Sequence, residues 1–400
     1  MKRIYLDHNA TTPLDPAVLE EMLPFLTEKF GNASSVHSAG QEARRAVEQA
    51  RERLARLIGA DASEIVFTSG GTEADNHALR GVVDPLGPNA ACPHIVTSAI
   101  EHPAVLNTCQ MLEKRGCAVT YVPVDEHARV DVEQVRSAIK PETKIVSIML
   151  ANNEVGTIQP VAEIAAIAHE HGALVHTDAV QALGRLPIDV RKLGVDLMSV
   201  SSHKIYGPKG IGALYLRRGV RVTPLLFGGH QERHRRGGTE NVPAIVGFGK
   251  ASELAGALRE ERATRERELR DRLERAILER IPHTRVNGHP TERLPNTLNA
   301  AFRFVEGESL LMNLDFEGVA VSTGSACSSG DLKPSHVLVA MGLPVEEAHG
   351  TLRFSLGRST TEEDIDAASE ALVRVVDRVR AMSPMYRDFL KRQETAPSPK

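Results

Sequence analysis

The feature that most constrains this chain is an alternation. Short apolar runs at residues 65–68, 95–98, 118–122, 144–150, 173–177, 196–200 and 212–216, several rich in Val and Ile, are separated in many cases by helical patterns such as 161–171. Strands alternating with helices imply parallel pairing with both sheet faces covered, so this stretch predicts a large α/β domain. Upstream, Ala39, Ala43, Ala46, Val47, Ala50, Leu54, Leu57 and Ile58 recur mostly at three- and four-residue steps, predicting an amphipathic helix within 34–58 that Gly59 ends. After about residue 249 the texture changes to a charged helix at 258–280, whose Leu269, Leu273, Ala276 and Ile277 can face a core while Arg and Glu stay in water. Strand patterns at 297–304, 319–322 and 351–355, with a helix at 362–382, predict a smaller α+β unit. The expected organisation is a large domain at 15–256, a small domain made of 1–14 and 257–392, and a disordered tail at 393–400.

With 400 residues, 42% hydrophobic and 25% charged, the chain can bury a large core and more than one domain is usual. A net charge of -4 provides no basic field for nucleic acid or an acidic membrane surface, so neither is expected as a partner. The N-terminus runs directly into charged and turn-forming residues, and no apolar stretch is long enough to span a bilayer, so a cytoplasmic protein is expected. Four widely spaced cysteines (Cys92, Cys109, Cys117, Cys327) without a C-x-x-C pair indicate neither a disulfide framework nor a structural zinc site.

Certain residues could carry chemistry. The segment Ile65-Val66-Phe67-Thr68-Ser69-Gly70-Gly71-Thr72-Glu73 runs a strand through a Gly-rich turn into a helix, a geometry that suits a phosphate but also serves as an ordinary tight turn. Asp178 follows a strand at the carboxyl end where open α/β sheets place ligands, although a strand-end aspartate is more often a helix cap. After a second strand comes Lys204, a solvated charge unless its surroundings lower its pKa enough for a Schiff base. Cys327 sits in Ser322-Thr323-Gly324-Ser325-Ala326-Cys327-Ser328-Ser329-Gly330, small residues with almost no apolar anchor, which predicts an exposed loop and a reactive thiol.

His176-Thr177-Asp178-Ala179-Val180-Gln181 followed by Ser201-Ser202-His203-Lys204 resembles the pyridoxal-phosphate segment of class V aminotransferases, and of cysteine desulfurases within them. Tyr5-Leu6-Asp7-His8-Asn9-Ala10-Thr11-Thr12-Pro13, Phe30-Gly31-Asn32-Ala33-Ser34-Ser35-Val36-His37, Glu101-His102-Pro103-Ala104-Val105 and Asn152-Asn153-Glu154-Val155-Gly156 are similar to that family in the same order, so the resemblance covers nearly the whole chain. It implies a pyridoxal-phosphate fold of type I. It also implies Lys204 as the covalent cofactor anchor, Asp178 on the ring nitrogen, Gln181 on the ring oxygen and His102 stacked on the ring. Gly71, Thr72, Ser201 and His203 would bind phosphate, and Thr239 would reach the phosphate of a neighbouring subunit, implying a homodimer. Arg353 would clamp the substrate carboxylate, with Asn153 serving carboxylate and cofactor.

The loop around Cys327, with Pro334-Ser335-His336-Val337-Leu338 after it, resembles the NifS/IscS-like group. The implied function is conversion of L-cysteine to L-alanine, with the sulfur left as a persulfide on Cys327 for a sulfur-acceptor protein such as an iron-sulfur scaffold, or for tRNA thiolation. The only metal contact this implies is a transient iron-sulfur ligation by Cys327. An aminotransferase or selenocysteine lyase on the same scaffold is the enzymatic alternative; the transaminase needs no nucleophilic cysteine. A non-catalytic assembly protein is the other, and Lys204, Asp178, Gln181, His102, Arg353 and Cys327 together argue against it. Two departures stand out: His8, and Gly71 where many relatives carry Ala.

Overall fold

A computed structural model describes residues 3–84, 93–323 and 334–395. The chain enters through β1 (Ile4–Tyr5) and two helices, α1 (Pro16–Thr27) and α2 (Ser38–Ile58). The ends of α2 follow from sequence: the His37 ring accepts from the Gly40 N–H, and Gly59 closes the helix in the left-handed region at φ 70°. The alternating stretch then gives β2 (Ile65–Thr68), α3 (Gly71–Val83), β3 (His94–Ser98), α4 (Pro103–Lys114), β4 (Ala118–Val122), α5 (Val132–Ala138), β5 (Thr143–Ser147), α6 (Val161–Glu170), β6 (Leu174–Asp178), α7 (Val190–Leu193), β7 (Leu197–Ser201) and β8 (Gly212–Leu216).

These strands form one seven-stranded sheet in the order β2-β8-β7-β6-β5-β3-β4. β3 to β7 pair in parallel, whereas β8 runs antiparallel to both neighbours, which corrects the expectation of parallel pairing at that edge. The apolar pattern could not reveal this, because a strand buried on both faces looks the same in either direction. The architecture is α/β with a mixed, mostly parallel sheet, as expected of a type I pyridoxal-phosphate fold.

From residue 242 the chain forms one helix, α8 (Val242–Arg280), beginning well before the expected 258. The sequence hides this start, because the first half is apolar on several sides: Val242, Ile245, Val246, Phe248, Ala251 and Ala255 all enter the core under the sheet. Asn241 caps it by accepting from the Ala244 N–H. Gly247 and Gly249 let it approach its neighbours, since a Cβ at either would lie 2.5 Å from Met22 Sδ or from Ala50 Cα. The second half turns Leu269, Leu273 and Ile277 into a separate core.

Around that second core lie β9 (Thr284–Asn287), β10 (Thr297–Phe302), α9 (Gly307–Phe316), β11 (Val319–Ala320), β12 (Ser322–Thr323), β13 (Thr351–Ser355) and α12 (Glu362–Met382), whereas α10 (His336–Ala340) and α11 (Val345–His349) pack in a small separate cluster with Ile100, Met149 and Val155. β12, β13, β10 and β9 make an antiparallel sheet, and β1 pairs with β11, which brings the N-terminal strand to this part of the molecule. A final helix, α13 (Pro384–Thr395), extends into the segment expected to be a disordered tail; residues 393–395 are its last turn, and 396–400 lie outside the described residues.

One buried ion pair braces the first core. Arg51 on α2 meets Glu232 through two hydrogen bonds of 2.7 and 2.8 Å, and Glu232 also accepts from the Phe67 N–H at 3.0 Å. The Arg51 guanidinium lies 4.7 Å from the centre of the Phe67 ring. This contact fixes β2, which leads directly to the Gly-rich turn.

Candidate active site

The carboxyl ends of β2, β5, β6 and β7, the α3 N-terminus and residues from β12 and β13 surround a cleft of about 400 Å³. Of the residues singled out in the sequence, it brings together Gly71, Thr72, His102, Asn153, Asp178, Gln181, Ser201, His203, Lys204 and Arg353. Thr239 lies outside it, exposed on the segment before α8. Cys327 lies outside the described residues, as does Cys92.

At one end of the cleft, α3 begins with no side chain capping it, so its first N–H groups are open to an anion. The Thr68 hydroxyl donates to Gly70 O at 3.0 Å and the Ser69 N–H donates to Glu73 at 2.8 Å, holding the turn in shape. The absent side chain at Gly71 has a local reason: a Cβ would come within 2.8 Å of Val180 Cγ2 and 3.7 Å of Ser201 Cβ. His203 borders the same end, its Nδ1 at 3.1 Å from the Thr11 hydroxyl. Burial, helped by Lys204 and Lys209, lowers its pKa to about 4.

Asp178 ends β6, buried, with one oxygen accepting the Val180 N–H at 2.8 Å. Burial raises its pKa, while His102, the Val180 N–H and Lys204 pull the other way. Sequence reasoning missed Asp75 of α3, which sits beside it: ligand atoms of Asp75, His102 and Asp178 all lie within 4.8 Å of one another. The Asp75 carboxyl is held well above the usual range, first by burial and then by the charge of Asp178.

His102 is the N-cap of α4, and its Nδ1 accepts the Ala104 N–H at 3.1 Å. Burial lowers its pKa, so the ring is neutral with its proton on Nε2. Before it, Glu101 is buried: its Oε1 accepts from Ser98 Oγ at 2.6 Å and from the Met149 N–H at 2.9 Å, its Oε2 has no hydrogen-bond partner, and burial pushes its pKa up to about 8.

Lys204 Nζ donates to Asn9 O at 2.5 Å and to Ala10 O at 2.8 Å. Burial, then Arg353 and Arg185, lower its pKa to about 7 against the opposing pull of Asp178 and Asp7. The lysine is therefore an amine with substantial neutral character near neutral pH, the condition the sequence reading required. Gln181 Nε2 donates to the same Asn9 carbonyl at 3.0 Å. Arg353, buried on β13, pairs with Asp7 at 2.8 Å and donates to Asn153 O at 3.1 Å, leaving its Nε without a partner. The roles of Asp7, Asn9 and Ala10 were not drawn from the sequence, although all three lie in a motif quoted for the resemblance.

Both departures from the family pattern are structurally accommodated. Gly71 makes room for Val180, and His8 is buried edge-on to Tyr5, with ring centres 4.9 Å apart. Gly357 leaves space for it, since a Cβ there would lie 2.3 to 2.4 Å from the imidazole. Burial lowers the His8 pKa to about 4, and neither ring nitrogen has a partner. Cys109 is buried with its thiol pushed up to about 12, an inert position; Cys117 is disulfide-bonded, whereas the wide cysteine spacing pointed to no disulfide.

The Aminotransferase class-V family profile matches residues 4–368, and the chain belongs to that family. It is 53% identical over 384 residues to "Cysteine desulfurase IscS" of Methanosarcina thermophila, covering 96% of this chain and 94% of that protein. A solved structure described as "NIFS-like protein" superposes with a TM-score of 0.88 at 40% identity, covering 94% of this chain and all of the other. Another, "SspA in complex with cysteine", superposes with a TM-score of 0.78 at 39% identity, covering 88% and 98%.

The cofactor of this family is pyridoxal 5'-phosphate. The donor set fits it: an uncapped helix N-terminus for the phosphate, a buried carboxyl at the ring-nitrogen position, an amide for the ring oxygen and a lysine of depressed pKa.

Proposed function

We infer that this chain is a pyridoxal-phosphate-dependent cysteine desulfurase that converts L-cysteine to L-alanine and leaves the sulfur on Cys327 as a persulfide. The observation that carries this reading is the convergence of a partly neutral Lys204 with Asp178, Gln181, His102 and the open end of α3 in one cleft. The reading keeps the large cofactor-binding domain at 15–256 and the small domain at 1–14 with 257–392.

In it, the first turn of α3 with Gly71, Thr72, Ser201 and His203 holds the phosphate. Asp178 would keep the ring nitrogen protonated, Gln181 would donate to the ring oxygen, and neutral His102 would pack against the ring. When bound, the cofactor takes up electrons released at the substrate α-carbon. Arg353, already aligned by Asp7 and Asn153, receives the substrate carboxylate. Lys204 Nζ removes the α-proton and later returns a proton. The Cys327 thiolate attacks the substrate sulfur: an S–S bond forms, the C–S bond breaks, and the electron pair stays with carbon, which becomes the methyl of alanine on protonation.

Thr239 serves the phosphate of a second copy, giving a homodimer with shared sites. Support comes from its exposure outside its own cleft and from the exposed Phe30, Val36 and Phe227. The persulfide passes to an acceptor protein such as an iron-sulfur scaffold, in keeping with relatives named IscS, with a tRNA-thiolation protein as the second acceptor class. No described helix is long and apolar enough to cross a membrane, and we place the reaction in the cytoplasm.

The test is to incubate the protein with pyridoxal phosphate, L-cysteine and a reductant and measure sulfide and alanine beside Cys327→Ala. Equal amounts that disappear in the variant are expected. Sulfide release unaffected by the substitution would reject Cys327 as the acceptor, and an α-keto acid product in place of sulfide would make the protein a transaminase.

A further inference from the structure

Arg185 is 4% exposed, yet it forms no ion pair among the described residues. Its Nη1 donates to Gln181 O at 2.9 Å and to Gln181 Oε1 at 3.1 Å, and its Nε has no partner. A buried guanidinium spent on a neutral amide is costly to keep, and the cost needs a reason.

The reason lies in what that amide can present. A guanidinium only donates and a carbonyl only accepts. Arg185 on one side and the Asn9 carbonyl on the other therefore fix the Gln181 amide in one of its two orientations, Oε1 toward Arg185 and Nε2 toward Asn9. Nε2 carries a second N–H, and Gln181 lines the cleft. Without Arg185 the amide could turn over and point its oxygen at an anionic oxygen of the ligand.

We propose that Arg185 is a positioning residue: it locks the Gln181 amide with an N–H toward the ring oxygen of the bound cofactor and places a buried positive charge behind that hydrogen bond. This rests on the cofactor-binding reading of the cleft. The charge also acts on Lys204, whose pKa it helps to lower. Both effects disfavour a proton on the nitrogen that links Lys204 to the cofactor.

The test uses the holoenzyme and its visible absorption, titrated with pH to give the midpoint at which that nitrogen gains its proton. Arg185→Met is expected to raise the midpoint by about one pH unit, and Arg185→Lys to recover part but not all of the shift. In a Gln181→Ala background, Arg185→Met should move the midpoint by much less. A midpoint unchanged in Arg185→Met, or the same shift with and without Gln181, overturns the proposal. If Arg185→Met does not fold, Arg185→Lys decides: its single ammonium holds the amide less firmly, so a midpoint above wild type supports the proposal and an unchanged one overturns it. A wild-type protein that shows no such band, and no reduced cofactor adduct on Lys204, would instead remove the cofactor reading beneath it.

Discussion

Capture of the cofactor by Lys204 should follow the protonation of a lysine unlike those in solution. With its pKa near 7, about half of Lys204 is neutral at pH 7, against roughly one molecule in three thousand for a lysine at the ordinary 10.5. Stripped of cofactor and mixed with pyridoxal phosphate across the range from about pH 5.5 to about pH 10, the protein should form its Lys204 adduct at a rate that rises tenfold per unit below the break near 7 and is flat above it. Borohydride reduction and mass spectrometry of the Lys204 peptide give the adduct directly. Arg353 is the largest charge contribution lowering this pKa, so Arg353→Met should move the break to higher pH. A rate that climbs steadily to pH 10 would refute the argument, because burial would then not be setting the lysine's protonation.

Other outcomes test the surrounding framework. Between the ordinary Glu value of 4.5 and about 8, folded Glu101 keeps a proton that the unfolded chain has lost, so it lowers stability progressively as pH rises through that window. Glu101→Gln should flatten the pH dependence of the denaturation midpoint there, and an unchanged profile would assign the loss elsewhere. Glu232→Ala leaves Arg51 buried without its partner and should cost about 3–5 kcal/mol in chemical denaturation, while the paired change Arg51→Met with Glu232→Leu should recover most of it. A single variant losing less than about 1 kcal/mol would mean that the pair braces little. Thr239→Ala should weaken cofactor retention, measured by dialysis and absorbance, while leaving the Lys204 capture break unchanged; unaltered retention would count against shared sites.

Much of the large sheet was legible because strands buried on both faces leave continuous apolar runs; β2, β4 and β8 fall where the pattern put them. The reversed direction of β8 was not legible, since it depends on which neighbour the strand meets. The start of α8 was lost where the helix is buried on several sides and carries no stripe. In the cleft, motif residues with one evident chemistry, such as Lys204 and Asp178, could be named from sequence. Asn9 and Ala10 could not, because they act through backbone carbonyls that any residue supplies. Nor could Asp75, which lines the cleft beside Asp178 and His102, or Arg185, which sits behind Gln181, since both acquire meaning only from what they touch.

The unbroken course of α8 has a mechanical consequence. At roughly 1.5 Å per residue its 39 residues form a rod about 58 Å long, packed in one core at its start and in the other at its end. Lys204 hangs from the sheet clamped to the first half, and Arg353 from the sheet clamped to the second. The rod thus acts as a fixed gauge between an amine and a guanidinium, and a ligand that must touch both is measured by it before any chemistry begins.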